Sequence, residues 1–222
     1  MEIKFKSHRG FNMKIKALLL ITSCSFLSMS AYSYETIDAW DLVYEVDALP
    51  DNQIYWNSTK AGAPKVEAER GLLHLDTTSS LSNKLSFSHS WDINNTTGLI
   101  VEAKLKLQAF TGDTGLGGVG IYVADDIREE ALIVRPKGIL LYNSNLAYNW
   151  GTHEKSADYH VYRIETEGAD IRVYVDGILR IEGIGRFGAG DNLFTNQVSF
   201  GDYSAGAGSR STWDYIKYKI NL

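Results

Sequence analysis

The chain has 222 residues, enough for one sizeable core or for a large two-sheet β domain. Its 27 acidic residues against 22 basic ones leave a formal net charge of −5 at pH 7, a poor electrostatic match to nucleic acid. A single cysteine, Cys24, excludes a disulfide framework.

The predicted elements begin with an export signal. Lys14 and Lys16 precede an apolar run over 17–27, followed by the small-residue segment Ser28-Met-Ser-Ala-Tyr-Ser33. Ala31 and Ser33 fit the −3 and −1 positions of a cleavage site, so residues 1–33 read as signal peptide and 34–222 as the domain. The n-region is long, and Met13 is an alternative start. The apolar run is too short to span a bilayer as a helix. Ile21-Thr-Ser-Cys24 loosely resembles a bacterial lipobox, which leaves two destinations open: a secreted or periplasmic protein, or an outer-membrane lipoprotein anchored through Cys24. Removing 1–33 takes away Lys4, Lys6, Arg9, Lys14, Lys16 and Glu2, which deepens the net charge to about −9. An acidic, cysteine-free, exported domain relies on its core, and a bound metal would help it.

From there the chain is nearly all strand signal. Short runs rich in β-branched and aromatic residues occur at 72–76, 84–88, 119–123, 131–134 and 171–175. Val101-Glu-Ala-Lys-Leu-Lys-Leu107 alternates strictly, with Val101, Ala103, Leu105 and Leu107 on one face and Glu102, Lys104 and Lys106 on the other. Turn signals separate the runs at 94–98, 111–115, 136–138, 176–177 and 188–192. No long segment keeps a helical period, and no internal repeat or second domain is visible. The pattern predicts an all-β fold, a sandwich of two antiparallel sheets.

Five pieces in order carry a resemblance. Tyr44-Glu-Val-Asp-Ala-Leu-Pro-Asp51 with Trp56, Gly71-Leu-Leu-His-Leu-Asp-Thr77, Gly98-Leu-Ile-Val-Glu-Ala-Lys-Leu-Lys106, the pair Tyr159-His-Val-Tyr-Arg163 and Val175-Asp-Gly177, and Trp213-Asp-Tyr-Ile-Lys-Tyr218 resemble segments of the concanavalin A-like lectin/glucanase superfamily. This superfamily of jelly rolls includes laminin-G-like domains, laminarinase-type glucanases and polysaccharide lyases. The resemblance implies a jelly-roll β-sandwich that hosts sugar binders and sugar cutters alike.

The catalytic signatures of those relatives are absent. Retaining glucanases need two carboxylates flanking the scissile bond, carried on one strand as E-x-D-x-x-E or a near variant. The nearest acidic cluster here, Asp125, Asp126, Glu129 and Glu130, falls where two strands should join and reads as a solvated hairpin. Glu102-x-Lys104-x-Lys106 echoes one lyase strand, but the Gln-x-His partner motif is missing, and Tyr215 and Tyr218 lack the surrounding context. The leading expectation is therefore a non-catalytic, lectin-like domain binding a polysaccharide or glycan, an anionic one included. Its rivals are a divergent hydrolase or lyase and a surface adhesion domain that binds protein.

By resemblance the strand at 101–107 lies in the sheet whose outer face is the concave groove, so Glu102, Lys104 and Lys106 are candidate contacts to a charged sugar. Tyr122, Arg135, Tyr142, Tyr148 and Trp150 on neighbouring segments are candidates for stacking and hydrogen bonding. The resemblance also implies a structural calcium ion on the opposite face, at Glu45, Gly71 and Asp214, joining both chain ends through hard oxygen ligands. The histidines show no zinc spacing; His74 and His160 read as packed strand residues, and His89 and His153 lie near loops.

Overall fold

A computed structural model describes residues 39–92, 97–112, 118–151, 156–188, 195–203 and 206–221. The predicted signal segment, Cys24, His153 and parts of the turns near 94, 113 and 190 lie outside them. The described residues belong to one unit, Ile37–Leu222.

Two antiparallel sheets account for nearly all of it. The first contains β1 (Leu42–Glu45), β3 (Lys65–Glu69), β4 (Leu72–Asp76), β6 (Gly98–Gly112), β11 (His160–Glu167), β12 (Asp170–Val175), β13 (Ile178–Gly183) and β15 (Ala207–Asn221). The second contains β2 (Asn57–Ala61), β5 (Lys84–Trp91), β7 (Val119–Asp125), β8 (Glu129–Arg135), β9 (Gly138–Leu141), β10 (Leu146–Asn149) and β14 (Asn196–Asp202). Their orders are β13-β12-β11-β6-β15-β4-β3, with β1 also on β15, and β10-β9-β8-β7-β14-β5-β2. Sequence neighbours are repeatedly split between sheets, as in a jelly roll. Among the described residues the only helical piece is a 3-10 turn at Pro50–Asn52.

Alternation decides what each strand buries. Val101, Ala103, Leu105 and Leu107 of β6 face inward against Phe87, Val119, Ile121 and Phe200 of the opposite sheet, all in one core cluster. Its aromatic centre is Phe200, whose ring lies 4.9 Å from Trp213, 5.1 Å from Trp56 and 5.4 Å from Phe87. Burying this much apolar surface, at about 25 cal/mol per Å², is what holds a domain with no disulfide together.

β15 shows how local irregularity places a side chain. It pairs with β6 along its whole length, but the register slips between Trp213 and Tyr215, so Asp214 is an extra, bulged residue. The bulge lets Trp213 and Ile216 both enter the core and turns Asp214 outward. β12 and β13 are joined by the two-residue turn Asp176–Gly177, where φ is 51° and 77°. Both values are left-handed, the geometry that matches the twist of paired strands and favours Asp-Gly.

One expectation is corrected. The acidic cluster at 125–130 does lie at a hairpin, between β7 and β8, and Asp126 is exposed there, but the rest is not solvated: Asp125, Glu129 and Glu130 are buried, Glu130 completely. Asp125 caps the turn, accepting from the amides of Ile127 and Arg128 and from the Arg128 guanidinium at 3.0 Å. Glu130 points inward with Leu132 and Val134 and accepts the amides of Asn143 at 2.7 Å and Ser144 at 2.9 Å, which fastens the β9–β10 turn. Charge alone suggested solvent; unpaired backbone donors in the turn explain the burial.

Candidate glycan-binding face

Strand β8 defines the outer face of the second sheet. Glu130, Leu132 and Val134 point into the sandwich, so Glu129, Ala131, Ile133 and Arg135 form the outward row. Beside it, β7 presents Gly120, Tyr122 and Ala124, and β14 presents Gln197, Ser199 and Gly201. Small residues therefore make a floor on which other groups pack, and Ala124, Ile133 and Ser199 are buried there. Tyr122 donates its hydroxyl to the Glu129 carboxylate, and burial together with that bond pushes the phenol pKa well up. Tyr203, directly after β14, lies across the floor: a Cβ built on Gly120 would fall 2.8 Å from its ring carbons. Its hydroxyl donates to Ser199 Oγ at 2.7 Å, and burial raises its pKa strongly. Tyr203 carries no strand or spacing signal in the sequence. Only Gly120, a glycine inside an otherwise β-branched strand, marks the close approach.

At the end of β8 this face runs into a cleft of about 400 Å³, lined by Phe110, Arg135, Pro136, Lys137, Gly138, Ile139, Leu140, Ala147 and Asn149. Trp150 fixes its rim. The indole Nε1 donates to the Arg135 carbonyl at 3.2 Å, and the Trp150 amide donates to the Lys137 carbonyl at 2.9 Å. Trp150 also stacks on His160 at 5.4 Å and meets Tyr148 edge-on at 5.9 Å, so both aromatics serve the sandwich end as well as the rim. His160 in turn bonds Asp176 at 2.7 Å.

The structure divides the residues that the sequence grouped. Arg135 and Trp150 come together at the cleft. Tyr122 sits on the same outer face near the other end of β8. Tyr142 is exposed in the turn after β9, its amide bonded to Ala131. Glu102, Lys104 and Lys106 are elsewhere, on the outer face of the first sheet, because β6 pairs with β11 and β15. A single groove lined by both sets does not form.

The β6 residues also do not make a positive patch. Lys104 pairs with Asp214 at 2.6 Å, and Glu102 accepts from Lys217 at 2.9 Å and from the Tyr215 hydroxyl at 3.0 Å. Lys106 lies over the Tyr159 ring at 4.6 Å. The hydrogen bond and charge of Asp214 raise the Lys104 pKa. Asp214 is thus on the same face as Lys104, not the opposite one: the bulge that turns it outward sets it beside β6.

Glu45, Gly71 and Asp214 do share one recess, of about 510 Å³, together with Asp47 and Lys217. Carboxylates and a carbonyl are the donors calcium takes. As they stand, no three His, Cys, Asp or Glu residues among those described are drawn together as metal ligands, and Asp214 is held by Lys104.

No protein-family model and no curated protein matches the chain. Solved structures do. The chain is similar to the endo-β-1,3-glucanase from Pyrococcus furiosus, with 16% identity and TM-score 0.59 over 82% of this chain and 94% of that one. It is also similar to a carbohydrate esterase from Shiga toxin-encoding bacteriophage phi24B, with 12% identity and TM-score 0.59 over 83% and 99%. A third is the Bacillus licheniformis β-glucanase, with 12% identity and TM-score 0.54 over 81% and 98%. The chain has the concanavalin A-like jelly-roll fold of these proteins. Among the described residues no helix is long and apolar enough to cross a membrane.

Proposed function

We propose that this is an exported, non-catalytic glycan-binding domain whose ligand lies along β8 on the outer face of the second sheet. The observation that carries it is the outward row of that strand. Glu129 is followed by Ala131 and Ile133, so the row offers one carboxylate, already bonded to Tyr122, where two-carboxylate hydrolysis requires a pair. What the row and its neighbours do offer suits binding. Tyr203 packs against Gly120 with its hydroxyl anchored, a preorganised surface for a pyranose ring, and Tyr122 and Gln197 supply hydrogen-bonding groups around it. The glycan-active proteins of like fold support the same reading, and the export pattern around Lys14 and Lys16 suits a secreted or periplasmic setting. A calcium ion at Glu45, Gly71 and Asp214 belongs to this proposal as a structural element, competing with Lys104 for Asp214.

The test is affinity electrophoresis and calorimetry with laminarin and with polygalacturonate. Wild type should bind at least one, and Tyr203→Ala should weaken binding about tenfold, the loss of one aromatic contact of ~1.4 kcal/mol. Binding that survives Tyr203→Ala unchanged would remove this face from the proposal. Release of reducing ends or of unsaturated uronates, which absorb in the ultraviolet, would make the protein an enzyme instead.

A further inference from the structure

The cleft at the β8–β9 turn has a chemistry distinct from the rest of the face. Arg135 and Lys137 are its charged residues, and among the described residues no aspartate or glutamate lines it. On a chain of net −5 that separation matters, because acidic residues outnumber basic ones elsewhere. The two cations stand on a fixed backbone. Pro136 locks the turn between them, and Trp150 holds the carbonyl of each through the two bonds given above. Gly138 lets β9 and β10 close behind the turn, since a Cβ there would lie 2.1 Å from the Tyr148 carbonyl oxygen. Phe110 and Leu140 give the recess an apolar wall, and Asn149 adds an amide.

We propose that this cleft binds the anionic group of a saccharide, a uronate carboxylate or a sulfate ester. The proposal rests on the glycan reading of the adjoining face. Lys137 in the exposed turn supplies a point charge to the anionic group, Arg135 adds a second positive charge beside it, and Phe110 packs against the ring that bears the group. A ligand following β8 from Tyr203 would reach Arg135 within a short distance, because Ile133, beside Gly120 under the tyrosine, is only two residues away, about 7 Å along the strand. The cleft would then select charged chains from neutral ones, while the tyrosine platform accepts either.

The full chain would be measured against polygalacturonate, dextran sulfate, dextran and laminarin at two salt concentrations. Variants are Lys137→Glu, Arg135→Gln and a charge-matched control, Lys219→Glu, on the other sheet. The expected result is tighter binding to a charged polymer than to dextran, falling with salt and weakened about tenfold by Lys137→Glu. Arg135→Gln should act in the same direction, and Lys219→Glu should change little. Preference for polygalacturonate identifies a carboxylate and preference for dextran sulfate a sulfate ester; equal binding of both identifies the charge alone. Equal loss in Lys137→Glu and Lys219→Glu, or no loss in Lys137→Glu, overturns the cleft. Binding of a charged polymer that needs Tyr203 but ignores Lys137 overturns the cleft and leaves the glycan reading standing. Failure to bind any of the four polymers removes both.

Discussion

Replacing Glu130 with alanine tests the least expected feature of the sandwich, a fully buried carboxylate on a core strand. Its Oε1 accepts the Asn143 amide at 2.7 Å and its Oε2 the Ser144 amide at 2.9 Å. Glu130→Ala removes the acceptor of three amides, those of Ala131, Asn143 and Ser144, at ~1–3 kcal/mol for each donor left buried, and returns part of that by removing a buried charge, for a net loss of ~2–4 kcal/mol. For a domain of this size that corresponds to a fall in Tm of roughly 5–15 °C. Glu130→Gln keeps one carbonyl oxygen in place and should lose about half as much. Urea denaturation gives the energies, and amide exchange at Asn143 and Ser144 should accelerate in the alanine variant before exchange in β7 does. A Glu130→Ala protein within about 0.5 kcal/mol of wild type, with those amides unchanged, would mean the carboxylate does not anchor the turn.

Three further outcomes follow from particular contacts. Gly120→Ala forces Tyr203 off the sheet, and should cost ~1–3 kcal/mol in denaturation and reduce glycan affinity; unchanged affinity would show that the ring need not pack there. His89 shares a hydrogen bond with the Tyr218 hydroxyl, and burial lowers its pKa, so folding favours the neutral imidazole. Its contribution is therefore complete above its unfolded pKa of about 6.5 and is lost as pH falls from there through the depressed folded value; the wild-type loss of Tm between about pH 7 and 5 should exceed that of His89→Phe, and equal losses would refute it. If calcium occupies the recess at Glu45, Gly71 and Asp214, then saturating calcium at about 100 times its Kd raises stability by ~2.7 kcal/mol, and Lys104→Ala should strengthen the effect by freeing Asp214. A chelator that leaves Tm unchanged in both proteins removes the ion.

The strands were readable because their evidence is local. Alternation at 101–107 and the β-branched runs at 119–123 and 171–175 report which side of a strand is wet, and the Asp176–Gly177 turn reports a backbone that only a few residues adopt. Which sheet a strand joins is decided by its partners, and these are remote in sequence. β6 lies between β11 and β15, so Lys104 and Lys106 share no outer face with Tyr122 and Arg135, although their alternation was right. The bulge at Asp214 is similarly silent: it is a register difference between two strands, and it moved Asp214 next to Lys104. Asp125, Glu129 and Glu130 misled for the opposite reason, because acidic composition suggested a surface turn while each carboxylate had a specific donor to satisfy. Arg135 and Trp150 were singled out by residue type; their bonded relation, and the close approach of Tyr203 to Gly120, needed the fold.

Strand β8 carries both results at once, and its alternation separates them. The inward row Glu130, Leu132 and Val134 is scaffold: it fixes a turn and fills the core, and it would serve any jelly roll whatever its ligand. The outward row is the one the proposed function uses. Neighbouring outward positions on a strand are about 7 Å apart, within the ~5–9.5 Å that separates paired carboxylates in glycosidases. The spacing needed for hydrolysis is therefore present between Glu129 and position 131, and the residue there is alanine. Glu129 itself is spent on Tyr122. At the far end of the same row stands Arg135, opening onto a cleft with Lys137 and, among the described residues, no carboxylate. A row that runs from a bonded glutamate over alanine and isoleucine to arginine has the dimensions of a catalytic strand, and under the proposed function it serves binding.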